Sequence, residues 1–160
     1  MTCRTSRRQF LAAGGLGLVV GAGFVPAAMA KAAAEKGMTQ TEKANVKLMK
    51  AFWADWNSDH LDIDALMSRY FAPDALVRFT DDTPIINGAQ AAAASAKASM
   101  PDGSRAIIKI YQLFAKGPMV ACHRLDTIRI PGKPDTLFNT AGVAFVKEGR
   151  IVEYADYIIR

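Results

Sequence analysis

Several common functions are excluded by what the chain lacks. It has no run of lysine or arginine, so nothing points to nucleic acid as a partner. Its two cysteines, Cys3 and Cys122, are too few for a disulfide scaffold. No internal repeat is present, and no low-complexity segment beyond the alanines, so a solenoid or an array is not expected. The apolar run from Ala12 to Val25 is interrupted by glycines and stops at Pro26, short of the roughly 20 residues that cross a bilayer. A length of 160 residues predicts one domain.

The first thirty residues read as a removable export signal. Thr5-Ser6-Arg7-Arg8-Gln9-Phe10-Leu11 resembles the bacterial twin-arginine signal, an uncharged apolar run follows, and Ala28-Met29-Ala30 supplies a small-x-small cleavage pattern. The expected cut lies after Ala30, the expected location is the periplasm, and the membrane is met only transiently during export. The alternative is retention as an anchor. Loss of Arg4, Arg7 and Arg8 takes the 20 basic residues to 17 against 15 acidic ones, a net charge of +2. Cys122 then has no partner for an intramolecular disulfide despite an oxidising destination.

The division expected is therefore a signal over 1–30, a flexible leader over 31–41 and a pocket domain over 42–160. Val46, Met49, Phe52, Trp53 and Trp56 recur at helical spacing, which predicts an amphipathic helix from Glu42 to Trp56. A second helix is expected from about Asp62 to Tyr70. Pro73 separates it from a short strand, Ala75 to Phe79, and Asp81-Asp82-Thr83-Pro84 has turn chemistry. An Ala-rich helix runs from Gly88 to Ala98. Beyond Gly103 the period changes to two, giving strands Arg105–Phe114, Met119–Ile130, Thr136–Val146 and Arg150–Ile159. Helices first and an antiparallel meander after them predict an α+β fold, with N-terminal helices packed on a curved, mainly antiparallel sheet around one pocket.

The chemistry-bearing residues fall on the last strands. With strict alternation, Val120, Cys122, Arg124, Asp126 and Ile128 share a face, as do Val152, Tyr154, Asp156 and Ile158. Three charges thus stand in apolar rows. An unpaired buried charge is very costly, so Arg124, Asp126 and Asp156 must pair with one another or line a wet cavity. A cation between two acids can hold one carboxylate ionised while crowding keeps the other protonated, which puts an acid and a base in one pocket. A self-satisfied salt-bridge network would use the same residues, and strands with these faces outward and solvated would need neither.

With His123-Arg124-Leu125-Asp126, Ala141-Gly142-Val143-Ala144-Phe145, Glu148-Gly149-Arg150-Ile151 and Asp156-Tyr157 in this order, the sequence resembles the limonene-1,2-epoxide hydrolase family of the nuclear-transport-factor-like, or SnoaL-like, cone fold. The resemblance covers roughly Glu42 onward. It implies a cone-shaped α+β barrel and one-step opening of an epoxide by water. Asp156 would be the base toward water, Asp126 the acid toward the epoxide oxygen, and Arg124 the bridge between them. It implies no metal or organic cofactor, and a small apolar molecule as substrate. The family also holds its water with a Tyr and an Asn two residues apart on the strand after the second helix. Alignment through Gly88 puts Arg78 and Thr80 there, a departure that leaves Thr80 as a candidate water or substrate contact, together with Tyr154.

Two other functions compete with the hydrolase: a non-catalytic binding module for a hydrophobic small molecule, and an isomerase or cyclase resembling the ketosteroid isomerase and polyketide cyclase branches. His123 alternates away from Arg124 and is expected on the opposite face. His60, with Asp59, Asp62 and Asp64, suits helix capping and surface charge better than a metal. Leu137, Val143 and Phe145 form a second apolar face, which predicts a homodimer.

Overall fold

The computed structural model describes residues 37–159. The proposed signal, its cleavage site and the leader up to residue 36 lie outside the described residues. Helix α1 spans Gln40–Trp56, α2 Ile63–Tyr70 and α3 Ala89–Ser99. The strands are β1 Phe71–Arg78, β2 Ile86–Asn87, β3 Arg105–Lys116, β4 Met119–Arg129, β5 Thr136–Lys147 and β6 Arg150–Ile158.

The start of α1 is set by a capping box. The Thr39 hydroxyl accepts from the Glu42 amide at 3.2 Å, and the Glu42 carboxylate accepts from the Thr39 amide at 2.7 Å. The same carboxylate reaches the Gly117 amide in the β3–β4 turn at 2.8 Å. These backbone bonds, first that from Gly117 and then that from Thr39, hold the Glu42 carboxyl below its usual range. At the other end Asn57 fastens the helix to the sheet. Its amide donates to the Ile108 carbonyl, and its side-chain oxygen accepts from the Ile108 amide, both at 2.8 Å.

The sheet has the order β2-β1-β6-β5-β4-β3. All neighbours are antiparallel except β1 and β6, which are parallel. The expected meander from β3 to β6 is present, while the parallel pair and the two-residue β2 are additions to it. The sheet has edges at β2 and β3, so the cone is a curved open sheet closed by helices, not a sealed barrel. Strand β1 begins at Phe71, directly after α2, and Pro73 lies within it. Its register against β6 shifts between Phe71 and Leu76, and such an irregularity is where a strand tolerates proline. The tight turn from β5 to β6 is made by Glu148 and Gly149, both at positive φ (51° and 74°), which matches the twist of the paired strands.

Helix α1 lays Met49, Phe52, Trp53 and Trp56 against the concave face of the sheet, where they meet Phe71, Val77, Val120 and Ile151. Phe52 sits among rings of Trp53, Tyr70 and Phe71 with centroids 4.5–5.6 Å apart. Burying each such side chain contributes roughly 1.5–3 kcal/mol. The convex face is left open, with Leu137, Phe114 and Phe145 exposed.

Candidate active site

Three neighbouring strands build the site. In register, Cys122 of β4 faces Gly142 of β5, and Gly142 faces Asp156 of β6. The next inward row holds Arg124 and Thr140, followed by Asp126. Because Gly142 has no side chain, the Arg124 guanidinium can cross β5 and reach Asp156. A Cβ at position 142 would stand 2.6 Å from Arg124 Nη1, 2.9 Å from Asp156 Oδ1 and 2.9 Å from Cys122 Sγ.

All five guanidinium N–H groups of Arg124 have acceptors. Nε donates to Asp126 Oδ1 at 2.7 Å, and Nη2 donates to Asp126 Oδ2 at 3.0 Å and to Asp156 Oδ2 at 2.7 Å. Nη1 donates to Asp156 Oδ1 at 2.8 Å and to the Tyr154 hydroxyl at 2.9 Å. The guanidinium also lies 4.5 Å over the Trp53 ring. Two hydroxyls complete the arrangement. Thr140 donates to Asp126 Oδ2 at 2.9 Å, and Tyr154 donates to Asp156 Oδ1 at 2.7 Å.

The electrostatics follow from burial. Burial pushes the Asp156 carboxyl above its usual range, with Arg124 and Tyr154 pulling against it. Burial also works against charge on Arg124, but Tyr154, Asp156 and Asp126 outweigh it and raise its pKa further. Burial holds the Tyr154 phenol and the Cys122 thiol protonated. Asp126 is the member most open to the cavity, with 15 % of its side chain exposed against 8 % for Asp156 and 3 % for Arg124.

The trio forms the polar floor of a cavity of about 270 Å³. Phe52, Trp56, Phe71 and Phe79 line one side, and Ile108, Ile128 and Phe138 another. Ala96, Ser99 and Met100 at the end of α3 complete the wall. The chamber is thus apolar apart from the charged floor and a few hydroxyls, suited to a small apolar molecule with one polar reacting point.

No protein-family model and no curated protein matches the sequence, but solved structures do. An LEH-like epoxide hydrolase from M. tuberculosis aligns with a TM-score of 0.63 at 21% identity, over 74% of this chain and 84% of that one. A protein from Jannaschia sp. CCS1 assigned as a SnoaL-like polyketide cyclase aligns with a TM-score of 0.64 at 13% identity, over 76% and 89%. The chain has the nuclear-transport-factor-like cone fold. A third cone-fold structure is SalBIII, an epoxide hydrolase/cyclase-like enzyme with a role in pyran ring formation in the polyether salinomycin. It aligns with a TM-score of 0.60 at 17% identity, over 73% and 92%.

Within this cone, Arg124, Asp126 and Asp156 meet, the pairing that was one of the arrangements open to them, and Tyr154 joins them. Thr80 also lines the cavity, but its hydroxyl is donated to Asp82 at 2.5 Å. Arg78, which stands at the family's water-holding position and departs from its tyrosine, is turned away from the cavity by the strand's alternation. Val77 is fully buried, while Arg78 turns to the convex side and donates to the Tyr157 hydroxyl at 2.7 Å. Just past the end of β1, Phe79 and Thr80 line the cavity, and Phe79 is apolar. His123 packs against Tyr111 on β3, at 5.3 Å between centroids. The acids near His60 have structural partners: Asp62 caps α2, Asp59 pairs with Arg105, and Asp64 with Lys97. Among the described residues no group of three or more His, Cys, Asp and Glu is placed to hold a metal ion.

Sequence alone placed Gly142 in a strand motif and Trp53 on a helix face without showing that the Arg124 guanidinium crosses the one and lies over the other, and it did not mark Thr140. Thr140 had a readable signal: it is a polar residue on the inward row of β5, two places before Gly142.

Proposed function

We propose that this protein is a cofactor-independent hydrolase that adds water to an epoxide of a small apolar substrate. The observation that carries this reading is the single arginine bridging two carboxylates at the floor of an apolar chamber. Ring opening needs a proton removed from the nucleophile and a proton delivered to the epoxide oxygen. Asp156 takes the proton from water while the water oxygen bonds to one epoxide carbon. The carbon–oxygen bond breaks, and its oxygen takes a proton from the Asp126 carboxyl. The trio gains one proton and loses one, so its charge is unchanged and only a transfer between the two acids is needed to reset it. A carboxylate whose proton affinity is raised by burial is the stronger base for this step.

One observation favours a second reading within the same chemistry. At the place of the family's polar water-holding pair stand Arg78, which is turned to the convex side, and Thr80, whose hydroxyl is donated to Asp82, with apolar Phe79 between them. A hydroxyl carried by the substrate itself would need no such pair, and the product would then be a cyclic ether. The same acid and base serve both reactions.

The test is hydrolysis of a panel of small cyclic epoxides by wild type and three variants, with thermal melts alongside. Asp156→Asn and Asp126→Asn are each expected to lower turnover by roughly 10²–10⁴-fold while leaving apolar ligands bound. Arg124→Ala leaves two buried carboxylates without their cation and is expected to cost about 3–5 kcal/mol of stability as well. A wild type that opens no epoxide, yet melts higher with apolar ligands, would replace the hydrolase with a binding module. Product analysis with hydroxy-epoxides separates diol from cyclic ether.

A further inference from the structure

Tyr154 is fully occupied by the trio itself. Its hydroxyl proton is committed to Asp156 Oδ1 at 2.7 Å, and its oxygen accepts Arg124 Nη1 at 2.9 Å. Its ring is wedged among Phe52, Trp53 and Phe71, with centroids 6.0–6.4 Å away. A phenol so engaged has nothing left with which to hold a water or a substrate, although it lines the cavity.

An ionised carboxylate oxygen has about two lone-pair sites. Asp156 Oδ1 receives Arg124 Nη1 and the Tyr154 hydroxyl, and both of its sites are filled. Asp156 Oδ2 receives only Arg124 Nη2, at 2.7 Å. On the other acid, Asp126 Oδ2 is filled by Arg124 Nη2 and Thr140, and Oδ1 receives only Nε. One oxygen of each acid therefore keeps an open site, and on Asp156 the phenol decides which one.

We propose that Tyr154 is a positioning residue that keeps Asp156 an ionised acceptor and leaves its Oδ2 as the one oxygen open to a proton from the nucleophile. In its catalytic meaning this rests on the hydrolase reading above; its effect on Asp156 does not. The charged and titratable groups facing Asp156 are Arg124, Asp126 and Cys122 from β4 and Tyr154 from its own strand. Strand β5 presents Gly142 and Thr140, and α1 presents the Trp53 ring. Of the groups that favour the ionised form, Arg124 is also needed to hold Asp126, so Tyr154 is the one that acts on Asp156 without serving the other acid.

The experiment is Tyr154→Phe, which keeps the ring and removes only the hydroxyl, compared with wild type and with Thr140→Val. The Asp156 carboxyl carbon is titrated by ¹³C NMR, and kcat and KM for cyclohexene oxide are followed against pH. Losing one donor to the charged form raises the proton affinity of Asp156. Its titration midpoint is expected to rise by about one to two pH units in Tyr154→Phe, the size of one hydrogen bond to an ion. The acidic limb of kcat should move with it, and KM should stay near wild type because the hydroxyl is engaged by Arg124 and Asp156 and the ring is retained. Thr140→Val, which strips a hydroxyl from the other acid, should move Asp156 far less. An unmoved Asp156 midpoint in Tyr154→Phe overturns the proposal, and so does an equal shift in both variants, which would mean general loosening. A shifted midpoint with an unshifted kcat limb removes Tyr154 from the reaction. A wild type inactive on every epoxide refutes the hydrolase reading, while the carbon titration still decides whether Tyr154 holds Asp156.

Discussion

Replacing Gly142 by alanine tests the geometry of the site with a single methyl group. Gly142 is not among the glycines at positive φ, so alanine meets no backbone penalty there and any effect comes from contact. The new Cβ would lie 2.6 Å from Arg124 Nη1, whereas ordinary contact starts near 3.4 Å, so the nitrogen must retreat by about 0.8 Å. Nη1 now donates at 2.8 and 2.9 Å, and a retreat of that size carries both bonds past the 3.2 Å limit of a good N–H···O bond. Hydrogen bonds to charged groups contribute about 1.5–3 kcal/mol each, and overpacking adds about 1–3. Because the side chains can partly repack, a net loss of about 3 kcal/mol is expected, read from urea unfolding of the mature domain. A displacement approaching 1 Å in a catalytic group also costs on the order of 10²-fold in rate, read from initial rates on cyclic epoxides. A Gly142→Ala protein with wild-type stability would refute the claim that the guanidinium passes over this glycine, whatever its activity.

Four further outcomes are expected. Because burial raises the folded-state pKa of Asp156, the group favours folding below its unfolded value near 3.9 and loses that contribution as pH rises through the raised value, so Asp156→Asn should flatten the stability–pH curve in that window. Activity of wild type should fall on its acidic side as Asp156 gains its proton, with a midpoint above the usual aspartate range. The convex face with Leu137 and Phe145 is expected to pair two copies, so that light scattering at micromolar concentration gives a dimer mass and Leu137→Glu with Phe145→Glu gives a monomer. Changing Arg7 and Arg8 to lysine should leave precursor in the cytoplasm, and unchanged mature protein in the periplasm would rule out the twin-arginine route.

The trio was legible because strand alternation is strict and charges are rare on an inward row. Arg124, Asp126 and Asp156 each interrupt an apolar series, and burial cost favours their pairing wherever those faces turn inward. The helices were legible for the same reason, since Met49, Phe52, Trp53 and Trp56 repeat at the helical period. The start of β1 was not, because Pro73 reads as a break when its neighbours are unknown, whereas the irregular pairing with β6 accommodates it. Strand β2 has two residues, too few for any period. The parallel pairing of β1 with β6 is a choice between distant segments that local sequence does not encode. The outward direction of Arg78 was not legible, because counting back from Gly88 fixes a position along the chain but not the side of the sheet it faces. Thr140 carries a weaker signal, a polar residue on an inward row where threonine is ordinary, and its distance to Asp126 is what shows its use.

The strand that carries Asp156 and Tyr154 is the last of the described strands in chain order, yet it lies inside the sheet between β1 and β5. Until β6 is in place, β1 has only the two-residue β2 beside it, and β5 presents a bare edge. Everything from Gln40 to Lys147 can therefore be synthesised without yielding either a continuous sheet or one complete pair of acids. The contacts that join the halves link Phe71 with Ile151 and Val77 with Tyr154, far apart in sequence, and such pairings form slowly. The sheet becomes continuous, and the proposed base and its positioning residue meet Arg124, only when β6 pairs with β1 on one side and β5 on the other.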